Sequence, residues 1–225
     1  MTKQKSALFL TILAFIACAL HTILLHTQFS HYALTSIVKI ILFTFIPLFF
    51  IKISKERKFK ELFSLKGDSV NIKRSLALGF GVFAVIGIAF LFLRPFIEKE
   101  MVTGALAANG INESNFFLVF IYVVVINAAL EEFFFRGYVF ETLYKMNYKR
   151  FAHTFSSLLF AVYHVAILRE ALSPGMMVFC ITGLVAAGLI FNALVVWCKC
   201  IAGSLVVHIS ANLALNLIIV YYLYM

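Results

Sequence analysis

The sequence has little charge for its length, and this scarcity excludes most soluble folds. Only 13% of its 225 residues are charged, 63% are hydrophobic, and the mean hydropathy is +1.01. A soluble domain is nearer half apolar and a quarter charged. The long apolar runs also exclude a membrane barrel, whose strands alternate apolar and polar residues. The composition predicts an all-α, polytopic membrane helical bundle.

Patterns that mark several enzyme classes are also missing. No GxSxG or SxxK sequence supplies a serine nucleophile, and no Walker A or GxGxxG loop indicates a bound nucleotide. The HExxH spacing of many zinc peptidases is absent as well. No repeat, low-complexity segment or long linker divides the chain. We therefore expect a single membrane-embedded domain over residues 1–225, and no motif commits it to a cofactor.

Long apolar segments are the main feature of the chain. About 18 or more consecutive apolar residues predict a membrane span. The first segment lacks a small-x-small cleavage site, so we expect an uncleaved helix there and not a signal peptide. We expect about seven transmembrane helices, at residues 6–26, 32–51, 75–93, 115–140, 151–168, 176–197 and 201–224.

Lysine and arginine are distributed very unevenly between the connecting segments. Cytoplasmic loops carry an excess of these residues, so the uneven distribution predicts orientation. The N-terminus is then cytoplasmic, the C-terminus is outside, and the cell membrane is the expected location. The net charge of +9 is an orientation signal, and no soluble domain carries it toward nucleic acid. One side collects fourteen basic residues against Arg94, Lys99 and Arg169 on the other: Lys3, Lys5, Lys52, Lys55, Arg57, Lys58, Lys60, Lys66, Lys73, Arg74, Lys145, Lys149, Arg150 and Lys199.

The stretch "EEFFFR" places three charged groups well inside an apolar run. A charge at the centre of a membrane helix costs about 2.5–3.5 kcal/mol on insertion scales. Glu132 and Arg136 are four residues apart and can pair on one helix face. Glu131 faces Asn127 and has no obvious charged partner on its own helix. An unpaired carboxylate inside a membrane predicts a functional group.

Three further polar residues lie inside later spans at similar depth. At 1.5 Å per residue, Glu131 lies about 21 Å from Lys145, and His164 lies about 21 Å from Arg150. On the last span, Asn212 lies about 20 Å and His208 about 14 Å from Lys199. Taken singly, each can be a hydrogen-bonded bridge between helices. Their common depth predicts that they meet in one site.

The residues alone leave two chemistries open. Glu131 can act as general base on a water with help from a histidine, while a second histidine and Asn212 stabilise an oxyanion. Alternatively, Glu131, His164 and His208 match the ligand set of a catalytic zinc ion. Residues one turn from His164 include only Phe160 and Leu168, which offer no side chain to orient a metal-bound imidazole. That observation favours a metal-independent mechanism without deciding the point.

Three motifs in this chain resemble those of one family. "EEFFFR", "FAVYH" and "HISAN" are similar to the EExxxR, FxxxH and HxxxN/D motifs of the CPBP family. This family comprises CAAX proteases and bacteriocin-processing enzymes, also called Abi. The resemblance covers residues 115–220, which we expect to form the catalytic core. It implies a helical-bundle intramembrane endopeptidase, related to the type II CAAX prenyl endopeptidases that remove the last three residues of prenylated proteins.

The resemblance also implies roles for the residues that match its motifs. Glu131 and His164 would activate the water, and His208 and Asn212 would form the oxyanion site. Glu132 and Arg136 would complete the first motif. The implied substrate is a peptide or membrane-associated protein, with the bilayer as the other partner. The substrate's identity, its prenylation and the oligomeric state are not predicted.

Two other functions fit the same residues. A non-proteolytic membrane partner, such as a bacteriocin self-immunity protein, can keep the fold and use the polar cavity only for binding. A proton-coupled transporter also uses intramembrane Glu and His. The chain shows no repeat and no pair of broken helices of the kind found in transporters. The peptidase is therefore the leading prediction.

Overall fold

A computed structural model describes residues 1–27, 31–168 and 172–224, and in these ranges the chain is helical with no strand. Thr2 and Asp68 begin two of the helices by accepting hydrogen bonds from backbone N–H groups of the first turn. Such caps satisfy donors that have no partner within the helix. The helices are α1 (Lys3–Leu25), α2 (Tyr32–Ser54), α3 (Phe59–Leu62), α4 (Ser69–Leu93), α5 (Lys99–Ala108), α6 (Phe116–Lys145), α7 (Lys149–Leu168), α8 (Pro174–Cys198) and α9 (Ala202–Tyr224).

The polytopic helical bundle predicted from composition is confirmed, but the count of seven spans is not. Six helices in the described residues are long and apolar enough to cross a membrane: α1, α2, α4, α6, α8 and α9. The seventh expected span, residues 151–168, lies within α7 and is not among the six. Its 20 residues make a helix about 30 Å long, but they include His153, Ser156, Ser157 and His164.

One end of the bundle gathers the connections that the charge pattern places on one side. Ser6 Oγ donates to Glu56 Oε1 (3.1 Å), and Arg57 Nη2 donates to Glu141 Oε2 (2.9 Å). The backbone N–H of Ile201 donates to the carbonyl of residue 64 (3.0 Å). We call this the basic end. At the other end, the distal end, the N–H of Tyr32 donates to the carbonyl of Asn109 (3.2 Å).

A buried arginine organises the basic end. Arg57 also donates from Nε to Glu61 Oε2 (2.9 Å), so its guanidinium joins α3 to α6. Burial raises the pKa of Glu61, but the hydrogen bond and charge of Arg57 outweigh it, and the pKa lies below its usual value. Glu61 is therefore a carboxylate at neutral pH. The basic end is held by charged hydrogen bonds that attach the 55–62 segment to the bundle.

Orientation in the membrane stays a prediction from the charge pattern. We expect residues 52–74 and 145–150 to be cytoplasmic, because cytoplasmic segments retain Lys and Arg. Single cysteines at Lys58 and at Glu98, in a background without the native cysteines, provide the test. In intact cells, an impermeant thiol reagent should label the cysteine at Glu98 and spare the one at Lys58. The reverse pattern would invert the assignment. The expected outer C-terminus, Met225, and the distal Arg169 lie outside the described residues.

Helix α6 is wider than a regular α-helix in two stretches. Residues Tyr122–Asn127 and Glu132–Phe140 form π-helical turns, in which groups five residues apart share a face. The helix ends at Lys145, and Asn147, two residues later, adopts a left-handed conformation (φ 75°). The wide turns change which side chains of α6 point in the same direction. They lie on both sides of Glu131.

The core is aromatic and lies in the basic half of the bundle. Every residue of α6 from Glu132 to Phe140 is buried. Phe43 of α2 stacks on Phe134 with ring centroids 4.0 Å apart. A Cβ at Gly137 would overlap the carbonyl of Leu62, so only glycine allows α3 to lie this close to α6. The fully buried large aromatic side chains are Phe43, Phe50, Phe134, Phe135, Tyr138, Phe140, Phe160 and Tyr163.

Candidate active site

Glu131 lies at the centre of the polar groups and is 1% exposed. Its Oε1 accepts hydrogen bonds from Lys39 Nζ of α2 (2.5 Å) and from Asn127 Nδ2 (3.1 Å). Lys39 Nζ also donates to Asn127 Oδ1 (2.5 Å). One carboxylate oxygen is thus fully engaged with two neighbours. The other, Oε2, faces the histidines.

His164 presents one ring nitrogen to Glu131. Its Nδ1 lies 2.7 Å from the backbone carbonyl of Phe160, one turn earlier in α7. A carbonyl only accepts hydrogen bonds, so Nδ1 carries the proton. In the neutral ring, Nε2 then carries the lone pair, 3.8 Å from Glu131 Oε2. The helix backbone itself orients this imidazole.

His208 of α9 is oriented by a carboxylate. Its Nδ1 lies 3.0 Å from Glu132 Oε1, so the N–H donates to that oxygen. Its Nε2 lies 3.5 Å from Glu131 Oε2. The two consecutive glutamates therefore contact different nitrogens of one ring. Both histidines direct Nε2 toward the same carboxylate oxygen.

Arg136 neutralises Glu132 as the sequence predicts. Its Nη1 lies 3.4 Å from Glu132 Oε1, and both side chains are fully buried. The guanidinium carbon lies 4.3 Å from the ring centroid of Phe160 and 4.8 Å from that of Phe191. Within the described ranges, no guanidinium nitrogen of Arg136 has a hydrogen-bond partner. The cation is held by one carboxylate and two aromatic faces.

Asn212 reaches the site from α9 but contacts the backbone of α6. Its Nδ2 donates to the carbonyl of Val123 (3.0 Å), which lies in the first π-helical stretch. The carboxamide carries two N–H groups, so one remains for another acceptor. One turn later, Asn216 Nδ2 donates to the backbone carbonyl of Asn212 (2.9 Å). Asn212 therefore joins two helices beside the site.

The structure brings five of the six predicted site residues together and adds Lys39, which was not predicted: the five are Glu131, Glu132, Arg136, His164 and His208. The sixth, Asn212, lies one turn from His208, but its side chain contacts Val123, eight residues before Glu131. Glu131 has no charged partner on its own helix, as expected, but it is not an unpaired carboxylate, because Lys39 pairs with it from another helix. The depth of Lys39 in its span was a signal in the sequence that it could meet Glu131. Lys39 precedes Lys52 by thirteen residues, about 20 Å, which is the depth of Glu131. An intramembrane lysine at that depth requires a partner.

The donor atoms partly resemble a metal site. Tetrahedral zinc ligands at about 2.0–2.2 Å lie about 3.4 Å from one another, close to the two Nε2–Oε2 distances. The expectation that His164 has no orienting partner is wrong, because the Phe160 carbonyl orients that ring. The ammonium of Lys39 on Glu131 opposes a second cation. Among the described side chains, no group of three His, Cys, Asp or Glu is spaced to hold a metal.

A comparison with protein families matches this part of the chain. Residues 113–214 match the model of a family described as Type II CAAX prenyl endopeptidase Rce1-like. This part of the chain is similar to the CAAX proteases. The matched region contains all six predicted site residues, whereas Lys39 lies outside it. Comparisons with curated proteins and with solved structures found no match for the chain.

Proposed function

We propose that this protein is an intramembrane endopeptidase that hydrolyses a peptide bond of a membrane-associated protein or peptide. The observation that supports it is the convergence of Glu131 Oε2 with the Nε2 atoms of His164 and His208, at 3.8 and 3.5 Å. These groups come from three helices and lie in the region that matches the CAAX protease family. The similarity to this family supports the reaction class. The distances support the assignment of roles to Glu131, His164 and His208.

In this proposal, water attacks the peptide carbonyl from a position between Glu131 and His164. The water donates hydrogen bonds to Oε2 and to Nε2, whose lone pair is free because Nδ1 donates to Phe160. As its oxygen bonds to the carbonyl carbon, one proton passes to Glu131. The same carboxyl group then gives that proton to the leaving amine as the C–N bond breaks. Both steps use the one carboxylate oxygen that Lys39 leaves unoccupied.

The tetrahedral intermediate requires donors for its oxyanion. Glu132 accepts from Nδ1 of His208 and stabilises the ring when it is protonated, so that Nε2–H can donate. The N–H of Asn212 that does not contact Val123 is the second candidate donor. Both residues lie on one face of α9, one turn apart. This face would stabilise the developing charge.

Comparative peptidomics provides the direct test of proteolysis. Membranes from cells that produce the wild type, Glu131→Gln or Glu113→Gln would be compared at equal protein level. Glu113 is exposed and lies at the distal end, away from the site, so its change is the matched control. We expect fragments that occur with the wild type and the control but not with Glu131→Gln. Identical peptidomes in all three would leave the non-proteolytic alternative.

Asn212→Ala tests the oxyanion role. Removal of one oxyanion donor typically lowers turnover by about 10²–10³-fold, and we expect a loss of that size with little change in KM. The variant also loses the bond to Val123, so turnover should be referred to folded protein. Ser210→Ala, on the same helix, is the control. Its hydroxyl donates to the carbonyl of Val206 one turn earlier. Unchanged turnover per folded Asn212→Ala molecule would restrict this residue to joining helices.

Chelation tests the metal-independent form of the mechanism. We expect activity and thermal stability to be unchanged after incubation with a strong chelator, because the Lys39 ammonium disfavours a dication at Glu131. Elemental analysis of the purified protein before and after treatment would accompany the assay. One zinc per chain, lost together with activity and restored by added zinc, would refute the expectation while leaving the peptidase proposal intact.

A further inference from the structure

The two halves of the bundle differ in packing. In α4, the buried residues are Ser75 and Gly79, and none follows in residues 80–93. In α8, no residue of 174–187 is buried, whereas six of residues 188–198 are. Helix α6 follows the same pattern, since residues 132–140 are all buried. In these three helices the basic half is buried around the aromatic core, whereas the distal half is largely accessible.

Polar side chains lead from the distal end to Glu131. Tyr32 at the start of α2 meets Tyr122 of α6 edge-to-face, with ring centroids 5.9 Å apart. The Tyr122 hydroxyl is buried and has no hydrogen-bond partner within the described chain. The π-helical stretch places Asn127, five residues on, on the same face as Tyr122. Asn127 in turn donates to Glu131.

A cavity of about 250 Å³ lies at the outer end of this row. Its lining combines the side chains of Tyr32, Leu118 and Val119 with the carboxamides of Asn109 and Asn115. The Asn115 carboxamide accepts from the N–H of Asn112 and donates to the carbonyl of Gly110, and Asn109 Nδ2 donates to the carbonyl of Ala105. The groups left to face a ligand are mainly apolar, so the cavity suits an extended, mainly apolar peptide. None of the described residues that line it is Lys or Arg.

A fully buried stretch of α6 separates the cavity at the basic end from Glu131. The cavity measures about 150 Å³ and is lined by charged groups that include Arg57, Glu61 and Lys145, together with Thr142. Thr142 is eleven residues from Glu131, or about 16 Å along a helix. The buried stretch from Glu132 to Phe140 fills that distance. Access from this side would require the aromatic core to open.

We propose that the substrate reaches Glu131 from the distal end, by the row of Tyr32, Tyr122 and Asn127. The charge pattern places that end outside the cytoplasm. The substrate is then a peptide segment on the outer side of the membrane, such as an exported peptide or the membrane-proximal part of an exported protein. A cytosolic C-terminus is not presented to this opening. This inference rests on the proposed peptidase function only because it calls the incoming peptide a substrate. The route itself is a property of the fold.

Site-directed labelling from each side of the membrane tests the route. In a background without native cysteines, Asn115→Cys lies at the cavity, and Ser36→Cys lies one turn from both Tyr32 and Lys39. Ser36→Cys is nearly isosteric, so folding should be preserved. Glu61→Cys is the matched control at the basic end. The probe is the impermeant anionic reagent MTSES, applied to right-side-out and to inverted vesicles.

We expect Asn115→Cys and Ser36→Cys to react at least tenfold faster in right-side-out vesicles, and Glu61→Cys in inverted ones. Labelling of Ser36→Cys from the side that labels Glu61→Cys would overturn the proposal. So would failure of Ser36→Cys to react under conditions that label Asn115→Cys, because the row would then be closed. Labelling needs no catalysis. A peptidase-negative protein with the expected labelling would refute the proposed function and keep the route.

Discussion

Glu131→Gln should abolish cleavage per folded molecule, and it should also lower stability because it leaves the buried Lys39 ammonium without its counter-charge. Glutamine keeps the shape of the side chain and an oxygen that can accept from Lys39 and Asn127. It cannot take a proton from water, and loss of a general base typically lowers the rate by about 10²–10⁴-fold. The observable is cleavage of a substrate found by peptidomics, measured per folded molecule in detergent or nanodiscs.

The control for this change is Glu113→Gln, which makes the same replacement on an exposed residue. Size-exclusion chromatography would give the folded fraction of each variant, to which its turnover is referred. Wild-type turnover in Glu131→Gln would exclude this carboxylate as the base. The roles of His164 and of the water would then have to be assigned again.

Lys39→Met should destabilise the protein strongly. It leaves the Glu131 carboxylate buried without its cation, and removal of one partner of a buried pair costs about 3–5 kcal/mol. Lys52→Met is the matched control, because Lys52 is exposed on the same helix. An exposed substitution of this kind typically changes stability by less than about 0.5 kcal/mol. Thermal unfolding in detergent would compare the variants.

A double variant separates the ion pair from general damage to α2. Lys39→Met combined with Glu131→Gln removes both charges, so stability should recover most of what Lys39→Met alone loses. The double variant should still be inactive, because it lacks the base. A double variant no more stable than Lys39→Met would show that the loss comes from packing around residue 39. The pair with Glu131 would then contribute little.

Hydrophobic runs were sufficient to predict most of the helical bundle. Six of the expected spans coincide with apolar helices because about 20 apolar residues have few alternatives in a bilayer. Helix α7 falls outside that set because it carries site residues and polar core contacts. Ser156 donates to the carbonyl of Phe135 (2.9 Å), and Asn192 donates to Ser157 (3.0 Å). Polar residues that pack inside a bundle lower the hydropathy on which the prediction of a span depends.

Ion pairs of the site were predictable where both residues lie on one helix, and less so where they lie on two different helices. Glu132 and Arg136 are four residues apart, so spacing alone predicted the pair. Lys39 and Glu131 are separated by 92 residues, and no local pattern connects them. The contact of His164 with the Phe160 carbonyl escaped prediction for another reason. The orienting group is a backbone oxygen, which every residue carries, so no side-chain pattern in the sequence indicates it.

The pairing of Lys39 with Glu131 also affects how the chain is made. Helix α2 leaves the ribosome carrying an ammonium group, and its partner follows 92 residues later. At about 5–20 residues per second, that interval lasts about 5–20 s. During this time Lys39 must stay hydrated, contact lipid head groups or remain inside the insertion machinery, because hydrocarbon offers it no acceptor. Biogenesis of this protein therefore includes a waiting period for α2, which ends only when α6 enters the membrane beside it.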